Sequence, residues 1–146
     1  IIQMSLAQRI AAKVGQPGYC RPGVAIGRKS RFEIIEEVKP ESFYPRPQVS
    51  SAIVRMERIQ SRFHISSESF FKETLDKLFL YRDNTVQEAI ILDKNRFFPP
   101  TMLSDLSSKI KKKTVKAVTP VEFGFISETC WEKRGQKSFI RSQQSL

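Results

Sequence analysis

Two stretches of the chain alternate with the period of a β-strand. In residues 49–56, Val49, Ser51, Ile53 and Arg55 share one side and Ser50, Ala52, Val54 and Met56 the other. Residues 32–38 set Phe32, Ile34 and Glu36 against Glu33, Ile35 and Glu37, so both faces are partly apolar. The segment between them contains Pro40, Pro45 and Pro47. Each proline fixes its own φ and pushes the preceding residue toward extended geometry, which predicts a stiff, non-helical corner over 43–47. The simplest arrangement is an antiparallel pair at the edge of a sheet, with the corner joining its strands. Upstream, residues 1–4 read as the end of a strand. Ser5 then caps a helix over 6–14 whose apolar face is Leu6, Ile10 and Val14, stopped by Gly15-Gln16-Pro17-Gly18. Residues 19–29 read as a loop with a weak apolar patch at Val24-Ala25-Ile26.

From Ser61 the period becomes helical. Ser66 or Ser67 caps a helix over 68–82 with Phe71, Leu75, Leu78 and Phe79 on one broad face. Asn84 caps a second helix over 85–92, with Val86, Ala89 and Ile90 inward. Phe97-Phe98-Pro99-Pro100 turns the chain, and a short third helix is expected over 101–108. Thr119-Pro120-Val121-Glu122 matches a capping box with proline at the first helical position, opening a last helix that should end near Lys133. The expected organisation is therefore an α/β part over 1–60, a small all-α domain over 61–134 and an unordered tail over 135–146.

Composition changes this picture in one respect. With 25 Lys and Arg against 15 Asp and Glu, the chain carries a formal charge of +10. That points to polyanionic partners, nucleic acid before anionic membrane. The excess sits at the two ends of the chain. Arg21, Arg28, Lys29 and Arg31 form one group without a nearby acid, and Lys109, Lys111, Lys112, Lys113 and Lys116 form another. Each group is open to two readings, a solvated surface or a phosphate-contacting rim. The 43–56 stretch has two readings as well: a plain structural corner, or a rigid platform that offers the Phe43 ring to a flat ligand. A membrane-surface role rests on charge alone, because the basic residues do not form one amphipathic helix. No apolar run is long enough to span a bilayer, and the expected location is cytoplasmic.

Other chemistry is sparse. There is no G-x-G-x-x-G, P-loop, G-x-S-x-G or H-E-x-x-H pattern. Cys20 and Cys130 are far apart and have no metal-ligand spacing, so they read as free thiols, and the single His64 has no partner for a zinc site. The acids Glu33, Glu36, Glu37 and Glu41 alternate between strand faces and a turn, as solvated groups do. The opening Ile1-Ile2-Gln3-Met4 reads as though cut from a longer protein.

Phe43-x-Pro45-x-Pro47-x-Val49-x-Ser51-Ala52-Ile53-Val54-Arg55 resembles the F-x-P-x-P-x-V-x-S-A-V-V-R segment of the rRNA adenine N6-dimethyltransferases. Erythromycin-resistance methylases and mitochondrial transcription factor B proteins are relatives of that family. Gln3 and Ala7-x-Arg9-Ile10, with Gly15 and Tyr19, are similar to its Q-K-E-x-A-x-R-L … P-G … Y-G segment. Leu78-Phe79-x-Tyr81-Arg82-Asp83-x-x-Val86-x-x-Ala89-Ile90 is similar to its F-x-x-R-R-K-x-x-x-N-A-L segment, and residues 109–123 resemble archaeal members most. The resemblance covers roughly residues 1–125.

It implies the last strands of a Rossmann-like methyltransferase sheet followed by a helical rRNA-binding domain, the C-terminal half of such an enzyme. The S-adenosylmethionine site and the N-x-P-Y catalytic motif would lie upstream of the counterpart of Gln3. No catalytic, cofactor-binding or metal-binding residue is then expected in this chain, which alone should be inactive. The resemblance places Phe43 beside the target-base pocket, with Pro45 and Pro47 holding its ring. Arg21, Arg28, Lys29, Arg31 and the lysines of 109–116 would hold the RNA backbone. The implied partner is small-subunit rRNA in the pre-ribosomal small subunit, and unpaired strand edges would invite self-association. The chain departs from the family at Gln3-Met4-Ser5, Tyr19-Cys20 and Arg82-Asp83-Asn84. Gln3-Met4-Ser5 and Arg82-Asp83-Asn84 favour the alternative, a non-catalytic nucleic-acid-binding module of the same descent, acting in ribosome assembly or transcription.

Overall fold

The computed structural model describes the backbone of residues 1–144 and the side chains of residues 1–135. The chain divides into two compact units, Ile1–Arg62 and Phe63–Leu146.

In the first unit, β1 (Ile2–Gln3), β2 (Ser30–Val38) and β3 (Ser51–Arg58) form an antiparallel sheet in the order β1-β3-β2. The expected antiparallel pair is present, but β3 is the middle strand. Its register runs from Ser30 opposite Arg58 to Val38 opposite Ser51, with an irregularity between Ile34 and Glu36 that leaves Ile35 without an opposite residue. Helices α1 (Met4–Ala11) and α2 (Arg21–Lys29) pack with each other and with the sheet. Ala7, Val24 and Ala52 are buried there, while Ile35 and Ile53 are exposed.

Helix α1 differs slightly from expectation. Its N-cap is Gln3 rather than Ser5, and it ends at Ala11, before the exposed Val14. Gly15 turns the chain in the left-handed region, at φ +83. Helix α2 is a larger correction, since residues 19–29 read as a loop. Pro22 falls in the first turn, where its missing N–H costs nothing. A Cβ on Gly23 would lie 3.0 Å from the Ile10 carbonyl oxygen, so the glycine permits close approach of α1. Val24 and Arg28, one helical turn apart, are the buried face.

The second unit is helical. Ser67 Oγ accepts from the Phe70 amide at 3.3 Å and caps α3 (Glu68–Phe79). For α4 (Val86–Leu92) the cap is Thr85, not Asn84, in a capping box with Glu88. The expected helix over 101–108 is instead a 3-10 turn, Pro100–Ser104, followed by the short α5 (Ser108–Lys112). The last helix, α6 (Pro120–Gln144), opens with the expected box. Thr119 N–H donates to Glu122 Oε2 at 2.9 Å and Glu122 N–H donates to Thr119 Oγ1 at 3.2 Å. Its backbone runs past Lys133, where the sequence placed its end. The side chains from residue 136 on, and all of residues 145–146, lie outside the described residues, and the expectation of an unordered tail falls there.

The core of this unit is built from Phe71, Leu75, Leu78, Phe98, Met102 and Phe123, all essentially inaccessible. Rings interlock around it: Phe70 stacks on Phe97 at 5.0 Å between centroids and meets Trp131 edge-on at 5.0 Å. The buried hydroxyl of Thr74 donates to the Phe70 carbonyl at 2.9 Å, so burial leaves it satisfied. Cys130 is buried, and burial pushes its thiol up to about 12. Cys20 is also buried, and neither forms a disulfide.

Candidate nucleic-acid interface

The corner between β2 and β3 begins with a 3-10 turn, Pro40–Ser42, in which the Phe43 amide donates to the Pro40 carbonyl at 3.2 Å. Phe43 is extended and half-buried, Pro45 is exposed and Pro47 is half-buried. An ion pair between Glu41 and Arg46 spans the corner. Both groups are well exposed, so it guides the loop more than it stabilises it. The far end is tied down by the Met4 amide, which donates to the Ser50 carbonyl at 3.0 Å, and by pairing of Gln3 with Ser51. Two of the segments that suggested the family, those around Gln3 and Phe43, are therefore neighbours in space. Beside Phe43, the Tyr44 ring is fully exposed at 102%. It occupies a spacer position of the motif, and only its exposure draws attention to it.

The basic group of 21–31 does not act as one surface. Arg21 and Lys29 are exposed at the two ends of α2. Arg31 is exposed on β2, paired in register with Glu57. Arg28 is a correction: it is buried, and its Nη1 donates to Ser61 Oγ at 2.5 Å. Its carbonyl accepts from the Arg62 amide, so it ties α2 to the end of the unit instead of meeting phosphate. Arg58, overlooked in the sequence, lines an open cleft of about 380 Å³ with Lys29, Gln60 and Ser61. The register that sets Arg58 opposite Ser30 brings it beside the end of α2.

The lysine run also divides. Lys109 and Lys112 are exposed on α5 and Lys111 is half-buried there; Ser107 Oγ caps the helix. Lys113 Nζ instead donates to both Glu122 oxygens, at 2.8 and 2.9 Å. Burial works against ionisation of Glu122, but the Lys113 ammonium and the Thr119 amide outweigh it and hold the carboxyl below its ordinary value. Lys116 Nζ donates to Asp83 Oδ1 at 2.8 Å, and that bond lowers the Asp83 carboxyl. Two of the five lysines are thus engaged within the fold. Asp83, one of the departures from the family pattern, is the partner of one of them.

The ribosomal RNA adenine dimethylase family model matches residues 1–122. The chain belongs to that family. Among similar proteins, a probable ribosomal RNA small subunit methyltransferase A of Methanococcus maripaludis strain C7 is 29% identical over 137 residues, covering 90% of this chain and 52% of that protein. Its counterpart in Methanococcus vannielii is 38% identical over 89 residues, 61% of this chain and 33% of its own length. The chain spans about half the length of the curated relatives it matches over most of its own length. In fold it is similar to a dimethyladenosine transferase from Plasmodium falciparum, with a TM-score of 0.75 at 19% identity over 91% of this chain and 56% of that one.

Members of this family use S-adenosylmethionine. The cleft of the first unit at Lys29, Arg58, Gln60 and Ser61 is basic and carries no acid to hold ribose hydroxyls. Among the described residues no helix is long and apolar enough to cross a membrane.

Proposed function

We propose that this chain is the RNA-binding and target-adenine-positioning part of an S-adenosylmethionine-dependent rRNA adenine-N6,N6 dimethyltransferase. It would act on small-subunit rRNA in the pre-ribosomal particle, in the cytoplasm, as the C-terminal half of the enzyme. The observation that carries the reading is Phe43, an aromatic ring on a proline-stiffened corner pinned at both ends, inside the segment that matches the family. An enzyme that modifies a base takes it out of the stack and reads it against an aromatic wall. Stacking of this kind contributes about 1–3 kcal/mol per base. A corner with little freedom to lose keeps that contribution from being spent on ordering the loop. Lys109, Lys111 and Lys112 in the helical unit, and Arg21, Lys29, Arg31 and Arg58 in the first, supply phosphate contacts that position the RNA without reading its sequence.

The methyl donor is held by protein outside residues 1–146. The 146-residue chain should therefore bind small-subunit rRNA with an affinity that falls steeply with salt, yet bind no S-adenosylmethionine and transfer no methyl group. Turnover by the chain alone would overturn the division of labour, and salt-independent or absent rRNA binding would overturn the RNA role.

Asp83 favours a second reading. It places an acid against Lys116 where the family pattern is basic, as a non-catalytic nucleic-acid-binding module of the same descent could tolerate. Methylation by the whole protein separates the two. Self-association, where it occurs, should use the open side of β1, because β2 guards its own edge with an irregular register and the charges of Arg31, Glu33, Glu36 and Glu37.

A further inference from the structure

The helical unit carries a cleft that neither the family match nor the lysine run accounts for. It is an open hollow of about 490 Å³ beside the turn that follows α4, within the ~300–1,000 Å³ range of ligand clefts. Its apolar lining comes from Ile91, Phe98, Pro99, Pro100 and Leu103, and its charged lining from Lys94, Arg96 and Asp93. Ile91 is 65% exposed, an apolar side chain left facing solvent at the cleft.

The turn is built to hold its cations in place. Asp93 Oδ2 accepts from the Phe98 amide at 3.1 Å, and the Arg96 amide donates to the Asp93 carbonyl at 3.2 Å. Phe97 and Phe98 are buried and anchor its far side. Arg96 itself sits in the left-handed region at φ +52, a conformation that costs an L-residue with a Cβ about 1–2 kcal/mol. Asparagine or glycine would relieve that cost, and an Asn stands one position away at 95, yet the arginine occupies the strained position. Strain of this kind persists where the surrounding structure over-determines it, commonly at binding sites. Lys94 and Arg96 form no ion pair among the described residues. Asp93 already accepts the Phe98 amide proton, and with two cations against one acid in its lining the cleft keeps a net positive charge.

We propose that this cleft binds one unpaired nucleotide of the RNA, with the base against the exposed Ile91 and Pro100 and its phosphate between Lys94 and Arg96. The proposal rests on the RNA-binding reading above. A duplex keeps its base faces stacked and offers phosphates, 2′-hydroxyls and base edges instead, so the apolar floor selects single-stranded RNA. The proline and isoleucine surface accepts any base face, and the contact therefore positions the RNA without fixing its sequence.

The test uses the 146-residue chain with a short oligouridylate carrying 4-thiouridine. Photocrosslinks should map to residues 91–100. Lys94→Gln with Arg96→Gln should weaken binding about tenfold and make the salt dependence shallower by about 0.7, the share of one phosphate on a single strand. Ile91→Ser, at an exposed position, should reduce the crosslink while leaving the salt dependence unchanged. Lys109→Gln, Lys111→Gln and Lys112→Gln together should weaken binding but keep the crosslink at 91–100. If the chain binds the RNA with unchanged affinity and slope in the Lys94/Arg96 variant, and crosslinks lie elsewhere, the cleft proposal is wrong and the RNA reading survives. Absence of any binding to both oligouridylate and small-subunit rRNA would overturn both. Tight capture of an oligoglutamate peptide by this cleft, abolished by the Lys94/Arg96 variant while RNA binding is untouched, would identify a protein partner and refute the nucleotide.

Discussion

The two units hold their candidate contacts by different means. The helical unit is organised on a ring-rich core of Phe71, Phe98, Phe123, Leu75 and Leu78, and its basic residues sit on that core's outer surface. The first unit buries Ala7, Tyr19, Cys20, Val24 and Ala52, and leaves Leu6, Ile35, Val49, Ile53 and Met56 exposed. Its order comes mainly from the β2–β3 ladder and from backbone hydrogen bonds such as Met4 to Ser50 and Ile59 to Lys29. The Phe43 ring, which would touch the reacting base, is thus placed by backbone pairing and prolines. The lysines proposed to contact phosphate are placed by a core. Packing defects should disable the second unit, whereas backbone changes near the corner should disable the first.

The largest expected effect breaks that contrast from the helical side. Phe71→Ala removes a fully buried ring and should cost about 3–5 kcal/mol in the second unit. Trp131, packed on Phe70, is the chain's one tryptophan and reports that unit alone in urea denaturation. A smaller effect comes from Glu122. Its folded-state carboxyl lies below the ordinary 4.5, so the stability it contributes is present above that value and is lost as pH falls through the lower folded one. Glu122→Gln should cost about 1–2 kcal/mol at neutral pH and flatten the acid limb of the Trp131 signal. The smallest effect is Ile53→Ala, which should stay within about 0.5 kcal/mol because the residue is on an exposed face. A loss at Ile53 equal to that at Phe71 would erase the distinction between the units.

Strand alternation and the caps at Ser67 and Thr119 were legible because they are local signals, whereas the caps expected at Ser5 and Asn84 fall at Gln3 and Thr85. The Thr119–Glu122 box and the β2–β3 pair are examples, each formed by residues whose neighbours in sequence reveal them. Helix α2 was hidden by Pro22, Gly23 and Gly27, which speak for a loop when read alone. Only the approach of α1 at Ile10 explains why Gly23 suits a helix there. The Arg28 placement was hidden for a related reason, since its partner Ser61 is 33 residues away. Lys116 and Asp83 are likewise 33 apart, so the division of the lysine run into surface and structural members is a tertiary fact. The proposal for Phe43 rests on the spacing of its prolines and the family motif, both local signals. Lys94 and Arg96 were not singled out, because two cations in a turn carry no signal until the cleft beside them is seen.

The central claim is that Phe43 forms the aromatic wall for the target adenine. Its most direct measurement compares Phe43→Ala with Phe43→Trp in the whole protein, following both methylation of small-subunit rRNA and affinity for it. Phe43→Ala should lower methylation about tenfold or more, the equivalent of at least ~1.4 kcal/mol of stacking, while rRNA affinity stays within about twofold. Phe43→Trp should retain most of the activity, because a larger ring still stacks. An equal loss of methylation and affinity in Phe43→Ala, or methylation unaffected by it, would contradict the account.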